Sequence, residues 1–368
     1  MNALPSWCNP ALAKLPPRVF LFTLEDARAA GGAERFHLLH LNESPYPPSP
    51  RLIEAVRAAV PDVHRYPATH PRRLAAQLGE RIGVAPERLL FGDGSDEILH
   101  LCAQAALGPG SSAVVPTPSF PRYRMSCAIL SATPIMVRIA PDGTCDERAL
   151  LAAIRPDTRA LFVCTPNNPS GGAMSAEQLD RLVAGCPDDL LLVVDEAYHE
   201  FGRAAGTPDV LAHLKARRGP WAVSRTFSKA FGMAGMRLGY LIADSAATVE
   251  LIGRTKASFN VNTLALVAAE AALADEGHLA DTLARMAAER ERLAEGLRRL
   301  QFAPLPSVAN FVSADLGRPA IPVMEALQAR GVLAREWRDP GYETYLRITI
   351  GTAADTEAAL AALRAVMQ

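Results

Sequence analysis

Residues 190–201 read LLLVVDEAYHEF, an apolar run that stops at Asp195 and Glu196. A short apolar run bounded by polar residues reads as a buried strand. It is one of a series. From residue 113 the runs AVVP, PIMVRI, ALFVC, LLLVV, WAVS and LGYLIA alternate with segments of helical pattern. Strands separated by crossover segments build a parallel or mixed sheet with helices on both faces. Such sheets bind ligands outside the carboxyl ends of their strands. The residues just after each run are therefore the ones to inspect.

After ALFVC comes TPNNPSGG (165–172), after LLLVV comes DEAYHEF (195–201), and after WAVS the chain continues as RTFSKAFGMAGMRLGY to residue 240. All three polar clusters fall where one crevice would collect them. Within the first, Asn167-Asn168-Pro169 also suits a plain turn, and Ser175 with Gln178 has capping-box spacing for the helix that follows. A strand ending in Asp-Glu also occurs in magnesium-dependent nucleotide hydrolases. Those need a GxxxxGK[ST] loop, and this chain has no Gly-Lys pair.

Lys229 lies in the middle of the third cluster. Only four of the 38 basic residues are lysines, Lys14, Lys215, Lys229 and Lys256. Lys229 alone stands between the hydroxyls Thr226 and Ser228 and a run of glycines, with Arg237 eight positions on. Hydroxyls, an arginine and close backbone approach suit a phosphate, while a lysine amine can condense with an aldehyde. Together they suggest pyridoxal phosphate.

At 368 residues and 49% hydrophobic content the chain has material for about two domains with large cores. A net charge of -1 without like-charge runs gives no general attraction to nucleic acid or anionic membrane. Six scattered cysteines show no metal-binding spacing and read as reduced and mostly buried. The first residues lack a signal-peptide pattern, and no stretch reaches the length of a membrane span. The expected compartment is the cytoplasm.

Several segments outside the sheet pattern carry candidate residues. FLFTLEDARAAGG is a weakly amphipathic piece ending at Gly31-Gly32. LNESPYPPSP (41–50) is held extended by four prolines and reads as a connecting arm. Helices are expected at 51–60 and 71–82, with Tyr66 in the extended VHRYP between them. FGDGSDE (91–97) turns through glycine into a helix, leaving either an ordinary capped start or backbone N–H groups for a phosphate. A long helix is expected near 275–300. In the last seventy residues, Arg335 follows VLA and Arg347 sits within YLRITI, facing either the surface or a partner.

Six of these motifs, LNESPYPPSP, RYP, FGDGSDE, TPNNPSG, VVDEAY and the lysine stretch, in this order, resemble the class I and II pyridoxal-phosphate aminotransferases, most closely the histidinol-phosphate branch. The resemblance runs from about residue 41 to LRITIGT near the C-terminus. It implies an α/β fold, a mostly parallel seven-stranded sheet sandwiched by helices, with an arm and part of the small domain over residues 1–45, a cofactor domain over 46–260 and a smaller α/β domain over 261–368. It also implies a homodimer with shared active sites.

By that resemblance Lys229 bonds the cofactor and shuttles the substrate proton, Asp195 pairs with the pyridine nitrogen, and Tyr198 and Asn168 hold the ring's phenolic oxygen. Gly94, Ser95, Asp96, Thr226, Ser228 and Arg237 surround the phosphate, and Tyr66 reaches the phosphate of the other subunit. Arg347 grips the substrate carboxylate or its equivalent, Arg335 the phosphate of histidinol phosphate, and Asn42 and Tyr123 also line the substrate. Phe120, in PSFPRY, stands where the family usually has a stacking tyrosine, so the stack is kept and the hydroxyl lost. Asp93 and Ser170 replace a commoner asparagine and threonine. The implied reaction is transamination of histidinol phosphate with 2-oxoglutarate. Related enzymes act on aromatic or other amino acids or decarboxylate threonine phosphate. Aminotransferase-like transcription regulators carry a basic domain in front, for which about 40 residues are too few.

Overall fold

The structure, a computed structural model, describes residues 7, 8, 15, 22–30 and 35–367. Its strands in chain order are β1 (His37–Leu38), β2 (Leu89–Gly92), β3 (Ser112–Thr117), β4 (Thr133–Arg138), β5 (Thr158–Cys164), β6 (Leu191–Asp195), β7 (Trp221–Thr226), β8 (Gly239–Ala243), β9 (Ala303–Pro304), β10 (Phe311–Asp315), β11 (Val332–Leu333), β12 (Arg335–Glu336) and β13 (Tyr345–Thr349). β2 to β8 form one seven-stranded sheet in the order β2-β8-β7-β6-β5-β3-β4. The pairs from β7 through β4 are parallel, and β8 runs antiparallel to both of its neighbours. This is the expected mostly parallel sheet.

The sheet is apolar on both faces, as a helix-covered parallel sheet must be. Along β6, Leu192 and Val194 join one core while Leu191 and Val193 join the other. The helix Gly94–Ala106 covers the second face with Ile98, Leu99 and Cys102. Arg72–Ile82, Ala176–Gly185 and Thr263–Leu273 contribute buried side chains to the first. The expected helix at 51–60 forms over Pro50–Ala59, capped by Ser49, and the Ser175/Gln178 capping box is present. Of the amphipathic piece, Leu24–Ala30 is helical, and Gly31-Gly32 lie outside the described residues.

The long helix Glu276–Arg299 buries Leu279, Met286, Leu293 and Leu297 at helical spacing. Beyond it, an antiparallel sheet is ordered β12-β13-β10-β9. β1 pairs in parallel with β11, which ties the segment before residue 41 to this second half of the chain. Among the described residues no helix is long and apolar enough to cross a membrane. All six cysteines are free, five of them buried.

Candidate active site

The parallel register places the polar clusters side by side. Cys164 stands opposite Asp195 in the β5–β6 pair, and Asp195 opposite Ser224 in the β6–β7 pair. The segments leaving these three strands therefore start at one level of the sheet. Asn167, wholly buried, shapes the first of them: its amide donates to the Pro118 carbonyl and the Ser170 hydroxyl, and its oxygen accepts from Ser119. That leaves its neighbour Asn168 facing the second sheet.

Lys229 follows the end of β7 and is half-buried. Its Nζ donates to the Leu41 carbonyl at 3.1 Å. Burial first, then the guanidinium of Arg347, bring its pKa down to about 8. Thr226 and Ser228 hydroxyls lie 3.0 Å apart beside it. Arg237 adopts a left-handed backbone (φ 59°), and its Nη2 donates to the Asp93 carbonyl at 3.3 Å. A Cβ at Gly94 would collide with the Arg237 guanidinium, so glycine is what lets helix and arginine meet. Gly94 also has φ +74°, a conformation that side chains rarely adopt.

The start of the Gly94 helix bears on the two readings of FGDGSDE. Asp93, at the N-cap position, makes no side-chain bond to the helix. The first-turn N–H groups of Gly94 and Ser95 are thus left for an outside acceptor, beside Arg237. Asp96, two residues after Gly94, presents its carboxylate to another side chain. Its carboxylate is gripped by Arg122 through both oxygens, so only its backbone N–H remains for an anion.

Asp195 is 2% exposed. Its Oδ1 accepts from the Ala197 N–H at 3.1 Å and its Oδ2 from the Tyr123 hydroxyl at 2.6 Å. Burial pushes its pKa up to about 6, against the lowering effect of these two donors. No cation among the described residues counters the burial. A buried carboxylate in this setting calls for a positive partner. Tyr123, expected at the substrate, gives its hydroxyl to Asp195. The helix Arg122–Ile129 turns its ring inward, 1% exposed, onto Phe162. Phe120 lies edge-on to Tyr123, with centroids 6.0 Å apart.

A chain of hydrogen bonds joins the two sheets. Arg347 on β13 donates to Asn168 Oδ1 at 2.6 Å and to the His40 carbonyl at 2.7 Å. Asn42 donates to the Tyr198 hydroxyl at 2.8 Å, and its own oxygen accepts from Thr349. Asn42 is 2% exposed, so its amide serves this network rather than an open surface. His40, Thr349 and Asn310, which donates to the Asn42 carbonyl, were not singled out in the sequence. Their partners lie some 300 positions away, and no local pattern marks them.

Arg335 stands directly opposite Arg347 in the β12–β13 pair, which puts both side chains on one face. Arg335 forms no salt bridge among the described residues, since the adjacent Glu336 is held by Arg338. Burial brings Arg347 down to about 10, and the charge of Arg335 adds to the effect. Two facing guanidinia and the Lys229 amine make an anion-seeking end of the crevice. Tyr66 stands apart, 81% exposed and stacked on Phe259 at 4.5 Å.

The arrangement fits pyridoxal phosphate. Gly94, Ser95, Thr226, Ser228 and Arg237 could hold a phosphate, Lys229 offers an amine of lowered pKa, and Asp195 is a buried carboxylate lacking a cation among the described residues.

Residues 36–363 match the family described as aminotransferase class I and II. The chain is 39% identical over 342 residues to histidinol-phosphate aminotransferase 2 of Methylococcus capsulatus, covering 91% of each chain. It is 37% identical over 361 residues to the enzyme of that name from Pseudomonas aeruginosa, covering 98% of this chain and 97% of the relative. Among solved structures it is similar to the histidinol-phosphate aminotransferase of Sinorhizobium meliloti in complex with pyridoxal-5'-phosphate. The TM-score is 0.90 at 27% identity, over 99% of this chain and 98% of the other.

Proposed function

Because the chain belongs to the class I and II aminotransferases, we propose that it moves the amino group of histidinol phosphate to 2-oxoglutarate with pyridoxal 5'-phosphate as cofactor, a step of histidine biosynthesis. One observation carries the choice of substrate: Arg335 faces Arg347 across β12 and β13 and lacks a carboxylate partner among the described residues. Like charges directly opposite destabilise a sheet, so this pair suits a ligand with separated negative groups. The names of the two relatives and of the structural neighbour support the same reading.

When bound, the pyridoxal ring supplies an electron sink for the charge left as the α-carbon loses its proton. Lys229 carries that proton. With a pKa of about 8, roughly one amine in eleven is neutral at pH 7, against about one in 3,000 at the ordinary value. Asp195 would hold a proton at the ring nitrogen, whose charge would supply the cation this carboxylate lacks. Asn168 and Tyr198 would hold the phenolic oxygen, and Arg347 and Asn42 keep those two side chains in place. Phe120 would pack against the ring.

Residues 46–260 act as the cofactor domain and residues 261–368 as a smaller domain that brings Arg335 and Arg347 to it. Tyr66 sits among the exposed apolar side chains Val60, Val63 and Phe259 and reaches into the active site of a second copy, making the enzyme a homodimer. It works in the cytoplasm. The test is a half-reaction: cofactor-loaded enzyme is mixed separately with histidinol phosphate, phenylalanine, tyrosine and threonine phosphate, while absorbance is followed and products are identified. Conversion by histidinol phosphate at far lower concentration than by the others is expected. Equal conversion by phenylalanine, or carbon dioxide released from threonine phosphate, would move the protein to another substrate or reaction.

A further inference from the structure

We propose that Tyr123 is a positioning residue that aims the Asp195 carboxylate and keeps it ionised, and that it does not touch the substrate. The inference rests on the reading of this crevice as a pyridoxal-phosphate site. Its basis is geometric. The Tyr123 hydroxyl is 2.6 Å from Asp195 Oδ2, while the Ala197 N–H occupies Oδ1, so the carboxylate is fixed at both oxygens. The ring cannot swing away. It is stacked on Phe162 at 5.2 Å and 20°, and Phe120 meets it edge-on.

The surroundings of Asp195 make this hydrogen bond more than packing. The other titratable groups facing it are Cys102, Cys164 and Tyr198, all kept neutral by burial, and the carboxylates Glu196 and Asp96. Those two are tied to Arg225 and Arg122. Tyr123 is thus the one side chain among the described residues that donates a hydrogen bond to Asp195. Burial and the neighbouring carboxylate push its own pKa well above the usual tyrosine range. It therefore stays a neutral donor at every pH at which the enzyme works. A protonated Asp195 would hold no proton at the ring nitrogen, so losing the donor should weaken cofactor grip and proton abstraction together. The same contact links Asp195 behind the ring to Phe120, which lies beside Tyr123.

The test uses Tyr123→Phe, which keeps the ring and its stacking and removes only the hydroxyl. In the apoprotein, infrared titration of the Asp195 carboxyl, assigned by its disappearance in Asp195→Asn, should move to higher pH. In the loaded enzyme, cofactor affinity should fall about 5- to 50-fold and kcat about 10- to 100-fold, with KM for the amino donor changed less than about twofold. Adding Tyr123→Phe to Asp195→Asn should cost no further cofactor affinity, because the two act as one unit. Tyr123→His, which restores a donor, should recover part of kcat. An unmoved carboxyl titration, or a raised KM with unchanged kcat, would overturn the proposal. Should Tyr123→Phe fail to fold, Tyr123→Leu, which also lacks a donor, would overturn the proposal by titrating like the parent with normal kcat. Failure of the parent protein to bind pyridoxal phosphate would instead sink the cofactor reading, and the apoprotein titration would still decide the Tyr123–Asp195 contact.

Discussion

Replacing Asp195 with asparagine should make the cofactor-free protein more stable and the loaded enzyme inactive. In the folded apoprotein the Asp195 pKa is about 6, whereas in the unfolded chain it is about 3.9. The folded state binds this proton more tightly, so between about pH 4 and pH 6 it holds more protons than the unfolded state. Stability of the parent apoprotein therefore falls as pH rises through that window, and the loss is complete above about pH 6. A shift of about two units at about 1.4 kcal/mol each gives roughly 3 kcal/mol at pH 7. Asparagine keeps an acceptor for Ala197 and carries no charge, so Asp195→Asn should recover about that amount. For a chain of this length, that is about 4 °C in Tm. Calorimetry of both apoproteins at pH 7 and near pH 3.5 reads the effect. The variant should melt higher at pH 7 and together with the parent at the lower pH. Loading with pyridoxal phosphate should reverse the order at pH 7, since only the carboxylate gains an ion pair. A variant that melts at or below the parent at pH 7, or a gap that persists below pH 4, would show that burial does not raise the Asp195 pKa in the apoprotein.

The remaining predictions concern other parts of the site. Lys229→Ala should bind pyridoxal phosphate without forming a borohydride-reducible bond at that position, as mass spectrometry of the reduced protein would show. Arg225 and Glu196 form a buried pair at 2.7 Å, with side chains 2% and 4% exposed. Arg225→Met should cost about 3–5 kcal/mol in urea denaturation, because it leaves the buried Glu196 carboxylate with only the His199 imidazole, and adding Glu196→Leu should recover part of the loss. Gly94→Ala should weaken phosphate anchoring about tenfold, since the methyl meets Arg237 and the backbone has φ +74°. Titration of the apoenzyme with the cofactor measures it.

The sheet and the meeting of the three polar clusters were legible because both follow from local pattern plus a general rule. Apolar runs of strand length alternate with helical segments, and parallel sheets gather what lies beyond their strand ends. The Cys164–Asp195–Ser224 register is that rule in this chain. The helix caps at Ser49 and Ser175 were within reach for the same reason, since a cap acts over three residues. What stayed hidden depends on pairs distant in sequence. Nothing in PSFPRY tells that the helix starting at Arg122 aims Tyr123 at a carboxylate 72 positions on. Asp96 reads as one more group beside a phosphate until Arg122 takes both its oxygens. In the same way, Asn42 belongs to a network with Tyr198 and Thr349 that closes only when the second sheet docks. Arg347 was open between surface and partner for want of the contact with Asn168 that resolves it.

We propose that this site is built for a donor carrying a phosphate, with Arg335 as its receptor. The most direct test is the ratio of kcat/KM for histidinol phosphate to that for histidinol, measured in the parent and in Arg335→Leu. A charged hydrogen bond of about 1.5–3 kcal/mol corresponds to a ratio of roughly 10 to 150. The parent should show such a preference, and in Arg335→Leu it should collapse to within a few-fold of unity, mainly through histidinol phosphate. A ratio unchanged by Arg335→Leu, or a parent that does not distinguish the two donors, would contradict the account.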